Sequence, residues 1–483
     1  MNRPQTIPPP LSHPEGGAII QQARRERPEE PSLAITMDYQ QAIHYLSGFT
    51  DWERTPAQAF AAVNFDLRRV HSLLARLGEP HHGRRTVHIA GSKGKGSIAA
   101  MTAAILTAAP TVGGSGLYTS PHLHTFCERI AVDGEPIAQG DFARLTGAMA
   151  PAVAAENADG RFGRLTTFEL LTALAFLYFR ERGACWQVLE VGMGGRLDAT
   201  SVVEEKDVAV IGPVSLEHTA ILGNTVEEIA AEKAAIIRPA CPVVMAPQPF
   251  PEAAAVIRRR AVEAGAPLLD VAESYSWRRL AWDLSGQSLR LDGPRGRREI
   301  WLSLLGAHPL ENAATAIAVI DVLLDSGARV PEQAIAVGLR QVRWPGRLEV
   351  LREQPLVVAD GAHNGDSARR LREALRGYFE FRRVILVTGV SQDKTVDDMA
   401  RELAPLAALA IATRSHHPRA SDPAAVAAAY AAAGAATETA PSVAAALERA
   451  LAVAAPEDLV CVVGSLFVVA EAREHILELV AAV

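Results

Sequence analysis

From Thr86 to the C-terminus, short apolar runs alternate with longer amphipathic stretches, and this alternation constrains the fold more than any other feature. The short runs are Val87–Ala90, Trp186–Val191, Val208–Gly212, Val243–Met245, Leu356–Ala359, Val384–Val387, Leu409–Ala412 and Leu459–Val463. They are continuously apolar rather than alternating, as strands buried on both faces of a parallel sheet must be. Between them lie stretches rich in Ala, Leu and Glu with helical spacing: Ile98–Thr107, Phe168–Arg182, Thr225–Ile237, Ser367–Arg376 and Ser442–Ala452. Strand–helix alternation of this kind predicts an α/β protein with doubly wound sheets. Trp277–Leu304 departs from it: polar and apolar residues alternate around Ser285-Gly286 and Gly293-Pro294-Arg295-Gly296, which predicts an antiparallel β insertion. The Ala-rich stretch Ala424–Ala440 reads as helical. A new βαβ series begins after Pro345-Gly346, so a domain boundary is expected there.

The length of 483 residues suggests about three domains. The pattern reduces this to two, residues 36–343 and 344–483, preceded by a disordered extension over residues 1–35. That extension is proline-rich, includes the charged run Arg24–Glu30 and has no apolar core of a signal peptide. Met37 follows it directly, where a helical pattern begins (Tyr39, Ile43, Leu46), and is an alternative start to Met1. The net charge is −7, which argues against a nucleic-acid binder. The four cysteines, Cys127, Cys185, Cys241 and Cys461, are scattered, so reduced thiols and a cytoplasmic location are expected. The longest apolar candidate, around Leu403–Ala412, is too short to span a membrane.

The segment Val87 to Met101 reads as strand, glycine loop, helix. The loop is Gly91-Ser92-Lys93-Gly94-Lys95-Gly96-Ser97. Glycines allow backbone N–H groups to converge on phosphate oxygens at a helix N-terminus. In such a loop Lys95 reaches the β/γ-phosphates and Ser97 binds Mg²⁺. The strict phosphate-loop pattern fails at Ile89 and at Gly96, and a glycine-rich turn with incidental lysines is the alternative. Three further positions carry polar groups at strand ends: Glu190 before Gly192-Met193-Gly194-Gly195-Arg196, His218 beside Glu217, and Ser120 in Thr119-Ser120-Pro121-His122-Leu123. Ligands of open α/β sheets bind beyond the carboxyl ends of strands. A solvated strand end or a helix cap is the alternative for each, and a snorkelling surface lysine is the alternative for Lys233.

Taken together, these motifs resemble the folylpolyglutamate synthase/dihydrofolate synthase family, a branch of the Mur ligases. The resemblance runs in order from about Tyr39 to Val483. Besides the loop, it rests on Tyr118 to Leu123 with Glu128-Arg129-Ile130, Thr166 to Glu169, Leu189 to Thr200, His218-Thr219, Glu232-Lys233-Ala234, His308 with Asn312-Ala313, Trp344-Pro345-Gly346-Arg347, Asp360 to Asn364, and Gly464-Ser465-Leu466.

The resemblance implies a P-loop-containing Mur-ligase-type central domain with a mainly parallel sheet, a small antiparallel β insertion, and a C-terminal Rossmann-like α/β domain. It implies an ATP-dependent ligase of folate biosynthesis and one-carbon metabolism. Such an enzyme joins L-glutamate to dihydropteroate and/or reduced folates through an acyl phosphate, using ATP and two Mg²⁺ ions. The implied catalytic residues are Lys95, Glu190, His218 and Lys233, with Lys233 carbamylated. Gly91 to Ser97, Asn312, Arg347, Asp360 and His363 would hold nucleotide, Asn312 at the adenine. Ser120, Thr166, Phe168, Arg196, Asp198 and Ala199 would hold substrate. Ser97, Ser120, Glu190 and His218 would ligate metal. Small molecules are the expected partners of a monomer, with neither nucleic acid nor membrane. The chain departs from the family pattern at Cys127, Ser201, Glu217, Pro309 and Gly365. Alternatives are a Mur-type ligase with another acceptor, a nucleotide-binding module without ligase chemistry, and an inactive homologue.

Overall fold

The computed structural model describes residues 35–51, 65–110, 113–392 and 396–481. The expected disordered extension lies outside the described residues, apart from Ile35. Eight strands form the first sheet: β1 (Arg85–Ala90), β2 (Ser115–Tyr118), β3 (Ile130–Val132), β4 (Glu135–Pro136), β5 (Trp186–Glu190), β6 (Val208–Ile211), β7 (Val243–Met245) and β8 (Leu268–Asp270). Their order is β4-β3-β2-β5-β1-β6-β7-β8. The run from β2 to β8 is parallel, and β3 and β4 add antiparallel pairs at one edge.

Both faces of this sheet are covered, which is why its strands are continuously apolar. On one face, Val87, Ile89, Val188 and Val210 pack with the helices Lys95–Thr107, Ala307–Asp325 and Glu332–Gln341. On the other, Ala90, Ile211, Val243 and Met245 pack with the helices Val226–Ala234 and Pro251–Glu263. Each fully buried Val or Ile contributes about 1.5–3 kcal/mol. β1 sits between β5 and β6, with Ile89 opposite Glu190 and Ala90 opposite Ile211. The carboxyl ends of three strands therefore open onto one place, where the chain changes direction across the sheet.

The insertion is a three-stranded antiparallel sheet of β9 (Ser276–Asp283), β10 (Gly286–Gly293) and β11 (Gly296–Leu302). It is tied to the helix Ala307–Asp325 by Asp321, which accepts from the Tyr275 hydroxyl at 2.8 Å and from Arg298 at 2.9 Å. The last sheet comprises β12 (Glu349–Glu353), β13 (Leu356–Asp360), β14 (Val384–Thr388), β15 (Ala407–Ala412), β16 (Thr437–Thr439) and β17 (Leu459–Val463). Its order is β12-β13-β17-β14-β15-β16, parallel except for β12.

Two expectations need correction. Ala424–Ala440 is not one helix: the helix Pro423–Ala432 stops, Gly434 turns the chain at φ +94°, and Thr437–Thr439 pairs with β15. Alanine content favours a helix throughout, but the left-handed glycine and two β-branched threonines beside an open strand edge override it. The longest apolar candidate is not near Leu403. The helix Ala307–Asp325 is long and apolar enough to cross a membrane by length and composition alone, with 67 % of its apolar window buried inside the protein. Glu311 and Asp321 interrupt its apolar run in the sequence, and its apolar surface is that of a core helix against the first sheet.

Candidate active site

The loop after β1 is shaped by its close neighbours. Ser92 and Lys93 donate their N–H groups to the Pro213 carbonyl at 2.8 and 3.2 Å, and the Ser92 hydroxyl donates to the Ser215 carbonyl at 2.9 Å. These bonds fasten the loop to the end of β6. Gly94 caps the helix Lys95–Thr107 at φ +75°, a left-handed conformation that favours glycine. A Cβ there would lie 2.6 Å from Asn312 Oδ1, so the Asn312 side chain rests on the loop. Gly96 leaves no room for a side chain: a Cβ would collide with the Trp344 ring and approach Glu190 Oε2 to 3.2 Å. Lys95 and Ser97 lie half-buried in the first helical turn.

Glu190, the last residue of β5, is buried. One oxygen accepts the Ser120 N–H at 3.1 Å. Burial pushes its carboxyl up to about 7, against the opposing pull of Lys95, the Ser120 N–H, Arg347 and Arg129. The segment carrying Ser120 is itself fixed, because Glu128 accepts the N–H groups of Leu123, His124 and Thr125 at 2.7–2.8 Å. A buried carboxylate surrounded by three cations is an arrangement suited to a metal ion shared with anionic oxygens.

A second buried charge also feels Lys95. Lys233 donates from Nζ to Glu217 Oε1 at 2.7 Å and to the Gly91 carbonyl at 3.0 Å. Burial brings its ammonium down to about 8, with Lys95 and Lys93 adding repulsion and Glu217 opposing. Burial pushes the Glu217 carboxyl up, but Lys233 and Lys95 outweigh it and leave that group below its ordinary value. His218 is exposed, adopts φ +48° and starts the short helix Thr219–Leu222.

Phe168 lies half-buried, its ring 5.9 Å from that of Tyr118, and a Cβ on Gly192 would come within 2.6 Å of it. Its flat face therefore borders the loop that follows Glu190. Asp198 is buried, and burial raises its carboxyl. Its oxygens accept the N–H groups of Gly192, Met193 and Thr200 at 3.0–3.1 Å, so this side chain holds the loop in shape. Ala199 is buried in the following turn. Thr166 caps the helix Thr167–Glu181: its hydroxyl accepts from the Glu169 N–H, and Glu169 pairs with buried Arg69 at 2.8 Å. Arg196 points outward and pairs with Glu232 at 2.9 Å.

From the last sheet, Asp360 accepts the N–H groups of Leu348 and Ala362, both at 2.9 Å. Burial raises its carboxyl, and Arg347 opposes this. Arg347 acts on both Asp360 and Glu190, and its guanidinium fills the space where a Gly361 side chain would go. The His363 ring bonds the Gly361 carbonyl at 2.9 Å through Nδ1.

Two family models match the chain: the Mur ligase middle domain over residues 89–320, and the Mur ligase glutamate ligase domain over residues 346–466. The Bacillus subtilis dihydrofolate synthase/folylpolyglutamate synthase is 37 % identical over 358 residues, covering 74 % of this chain and 82 % of that one. The chain belongs to the folylpolyglutamate synthase/dihydrofolate synthase family of Mur ligases. A probable bifunctional folylpolyglutamate synthase/dihydropteroate synthase of Haloferax volcanii is 38 % identical over 448 residues; the match covers 90 % of this chain but spans only half of that longer protein. Among solved structures, Mycobacterium tuberculosis folylpolyglutamate synthase complexed with ADP and AMPPCP superposes with a TM-score of 0.81 at 32 % identity, covering 91 % of this chain and 98 % of that one. An Escherichia coli structure in complex with DHPP and ADP gives 0.78 at 29 % identity, covering 92 % and 98 %.

For a member of this family, the site contains two groups that sequence reasoning left out. Glu217, in the sequence only a departure from the family pattern beside His218, is the partner of buried Lys233. Its signal was a second carboxylate at a strand end with no surface role. Trp344, in the sequence only the start of the motif carrying Arg347, closes its ring over Gly96. A large aromatic ring two residues before a glycine turn was the available clue.

Proposed function

We propose that the protein is an ATP-dependent acid–amino-acid ligase that adds L-glutamate to dihydropteroate and/or reduced folates, giving dihydrofolate and folylpolyglutamates. The observation that carries this reading is Glu190, buried among Lys95, Arg347 and Arg129 at the mouth of the phosphate loop. A carboxylate is a poor electrophile with a poor leaving group. Transfer of the γ-phosphoryl group to the acceptor carboxylate releases ADP and makes an acyl phosphate. The glutamate amine attacks its carbonyl carbon, the nitrogen loses a proton, and inorganic phosphate departs. Positioning and charge stabilisation are the protein's main contributions.

In this scheme the loop Gly91 to Ser97 and Lys95 hold the β/γ-phosphates, Asn312 lies at the adenine, and Arg347 neutralises charge from the far side. The oxygen-rich donor set fits Mg²⁺: Ser97 and Glu190 would hold one ion, and Ser120, Glu190 and His218 a second. When bound, Mg²⁺ supplies charge neutralisation at phosphate oxygens. Lys233 is proposed to be carbamylated. CO₂ reacts with the neutral amine, and an ammonium held at about 8 supplies that form near neutral pH. Phe168, Ser120, Thr166, Arg196, Asp198 and Ala199 line or shape the acceptor pocket, with Phe168 offering a face for a ring to stack on. Asp360 and His363 approach the nucleotide when the two proposed domains, residues 36–343 and 344–483, close and exclude water. A monomer is part of the same proposal, and four free cysteines support a reducing, cytoplasmic location.

The test is ADP release from ATP in the presence of dihydropteroate or tetrahydrofolate, with and without glutamate. Release that requires glutamate and a pteridine acid supports the reading; release with neither pteridine overturns the acceptor assignment.

A further inference from the structure

At the amino end of β1, away from the phosphate loop, the turn from Leu77 to Arg84 brings three ligand-bearing side chains together. Glu79 adopts φ +54°, with its N–H bonded back to the Leu74 carbonyl at 2.8 Å and its own carbonyl accepting from His82 at 3.3 Å. This fold-back sets the Glu79 carboxylate beside two consecutive histidines. His81 is 2 % exposed, and its Nδ1 has no hydrogen-bond partner among the described residues. That nitrogen faces Glu79 Oε2 at 3.6 Å, and His82 Nδ1 lies 3.9 Å from the same oxygen. All three ligand atoms lie within 4.8 Å of one another.

His81 is held through both its backbone and its ring. Gln187, on β5, donates to the His81 carbonyl at 3.3 Å, and the ring lies 5.8 Å from Phe176 and 3.9 Å from the His82 ring. A buried nitrogen without a donor or acceptor is costly unless something binds it.

We propose that Glu79, His81 and His82 form a binding site for a transition-metal dication of the Zn²⁺ class, with His81 Nδ1, His82 Nδ1 and one Glu79 oxygen as ligands and water in the fourth position. Two imidazoles and a carboxylate select such an ion over Mg²⁺ or Ca²⁺, which prefer oxygen. Metal–ligand bonds of about 2.0–2.1 Å place tetrahedral ligands about 3.3 Å apart. The three atoms therefore need to draw in. Glu79 and His82 are exposed and free to do so, while buried His81 is the anchor. Arg84 adds positive charge nearby, but its guanidinium is committed to Gln187 Oε1 and the Pro80 carbonyl, and the Glu79 carboxylate offsets it. A bound ion would clamp the turn feeding the strand that ends at the phosphate loop.

The experiment uses the full chain, stripped with a chelator and held in excess Mg²⁺ to fill oxygen-ligated sites, then titrated with Zn²⁺ by calorimetry. Wild type is expected to take up one equivalent and to gain thermal stability on doing so. His82→Ala and Glu79→Gln, both at exposed positions, are expected to lower Zn²⁺ affinity by more than the roughly 10–100-fold that loss of an outer-shell partner costs. Uptake of no equivalent by wild type, or equal affinity in wild type and both variants, overturns the site.

Discussion

The two large sheets end in different ways at their carboxyl edges. The edge formed by β1, β5 and β6 gathers charges that backbone bonds meet only in part. Among the described residues Glu190 has one N–H partner, and the Lys233–Glu217 pair is buried beside Lys95. The edge at β13 does the opposite: Asp360 is met by two N–H groups and His363 by a carbonyl of its own turn. The first edge holds charge in readiness for a ligand, and the second uses similar residue types to fix a loop. Arg347 joins them, since it acts on both Glu190 and Asp360.

This contrast orders the expected effects of mutation. Lys95→Ala and Glu190→Gln should each lower kcat by at least about 10²–10³-fold, the cost of removing a preorganised charge partner. Wild-type turnover in either variant, measured by ADP release, would show that the first edge is not the reaction centre. Lys233→Ala should lose most activity and recover part of it with added small carboxylates such as formate. Full activity without rescue would reject the carbamate.

The pH dependence follows from the same two groups. Mg²⁺ binding needs the Glu190 carboxylate, so affinity should fall as pH drops through about 7. CO₂ addition needs the neutral Lys233 amine, so activation by bicarbonate should grow as pH rises through about 8. Calorimetric Mg²⁺ titrations across that range, compared with Glu190→Gln, check the first trend. A variant with the same pH profile as wild type would assign the titration elsewhere.

Asp360→Asn sharpens the comparison from the other side. An amide oxygen replaces only part of the acceptor capacity, so about 1–3 kcal/mol of stability should be lost, read from denaturant melts. Its effect on kcat should be smaller than that of Glu190→Gln; an equal effect would mean that both edges carry the chemistry. The smallest change is expected from Phe168→Ala: KM for dihydropteroate should rise by about tenfold, as for loss of a modest apolar contact, with KM for ATP little changed.

Much of this was legible in the sequence, for reasons that can be named. Strands such as Trp186–Glu190 announce themselves because burial on both faces leaves no polar positions, and a polar residue at such a strand's end, Glu190, then stands out. The phosphate loop is local, so its glycines, lysines and following helix appear as one continuous word. What stayed hidden depends on distant partners. Lys233 meets Glu217 from the preceding loop, and Trp344, almost 250 residues further along the chain, covers Gly96. Asp198 appears in a motif that the resemblance assigns to substrate, and its hold on three backbone N–H groups of that loop is a contact the sequence does not display. The Ala-rich segment after Pro423 misleads because its composition reports helix propensity, while strand pairing at Thr437–Thr439 is a tertiary contact.

The central claim is that the charged edge of the first sheet activates a pteridine-linked carboxylate for attack by glutamate. A coupled ADP-release assay with dihydropteroate, tetrahydrofolate and unrelated carboxylates, each with and without L-glutamate, tests it most directly. The account predicts ADP and phosphate in equal amounts only when ATP, a pteridine acid and glutamate are all present, at a rate at least about 10²–10³-fold lower in Glu190→Gln. Equal ADP release without glutamate, or release with unrelated carboxylates and none with either pteridine, would contradict it.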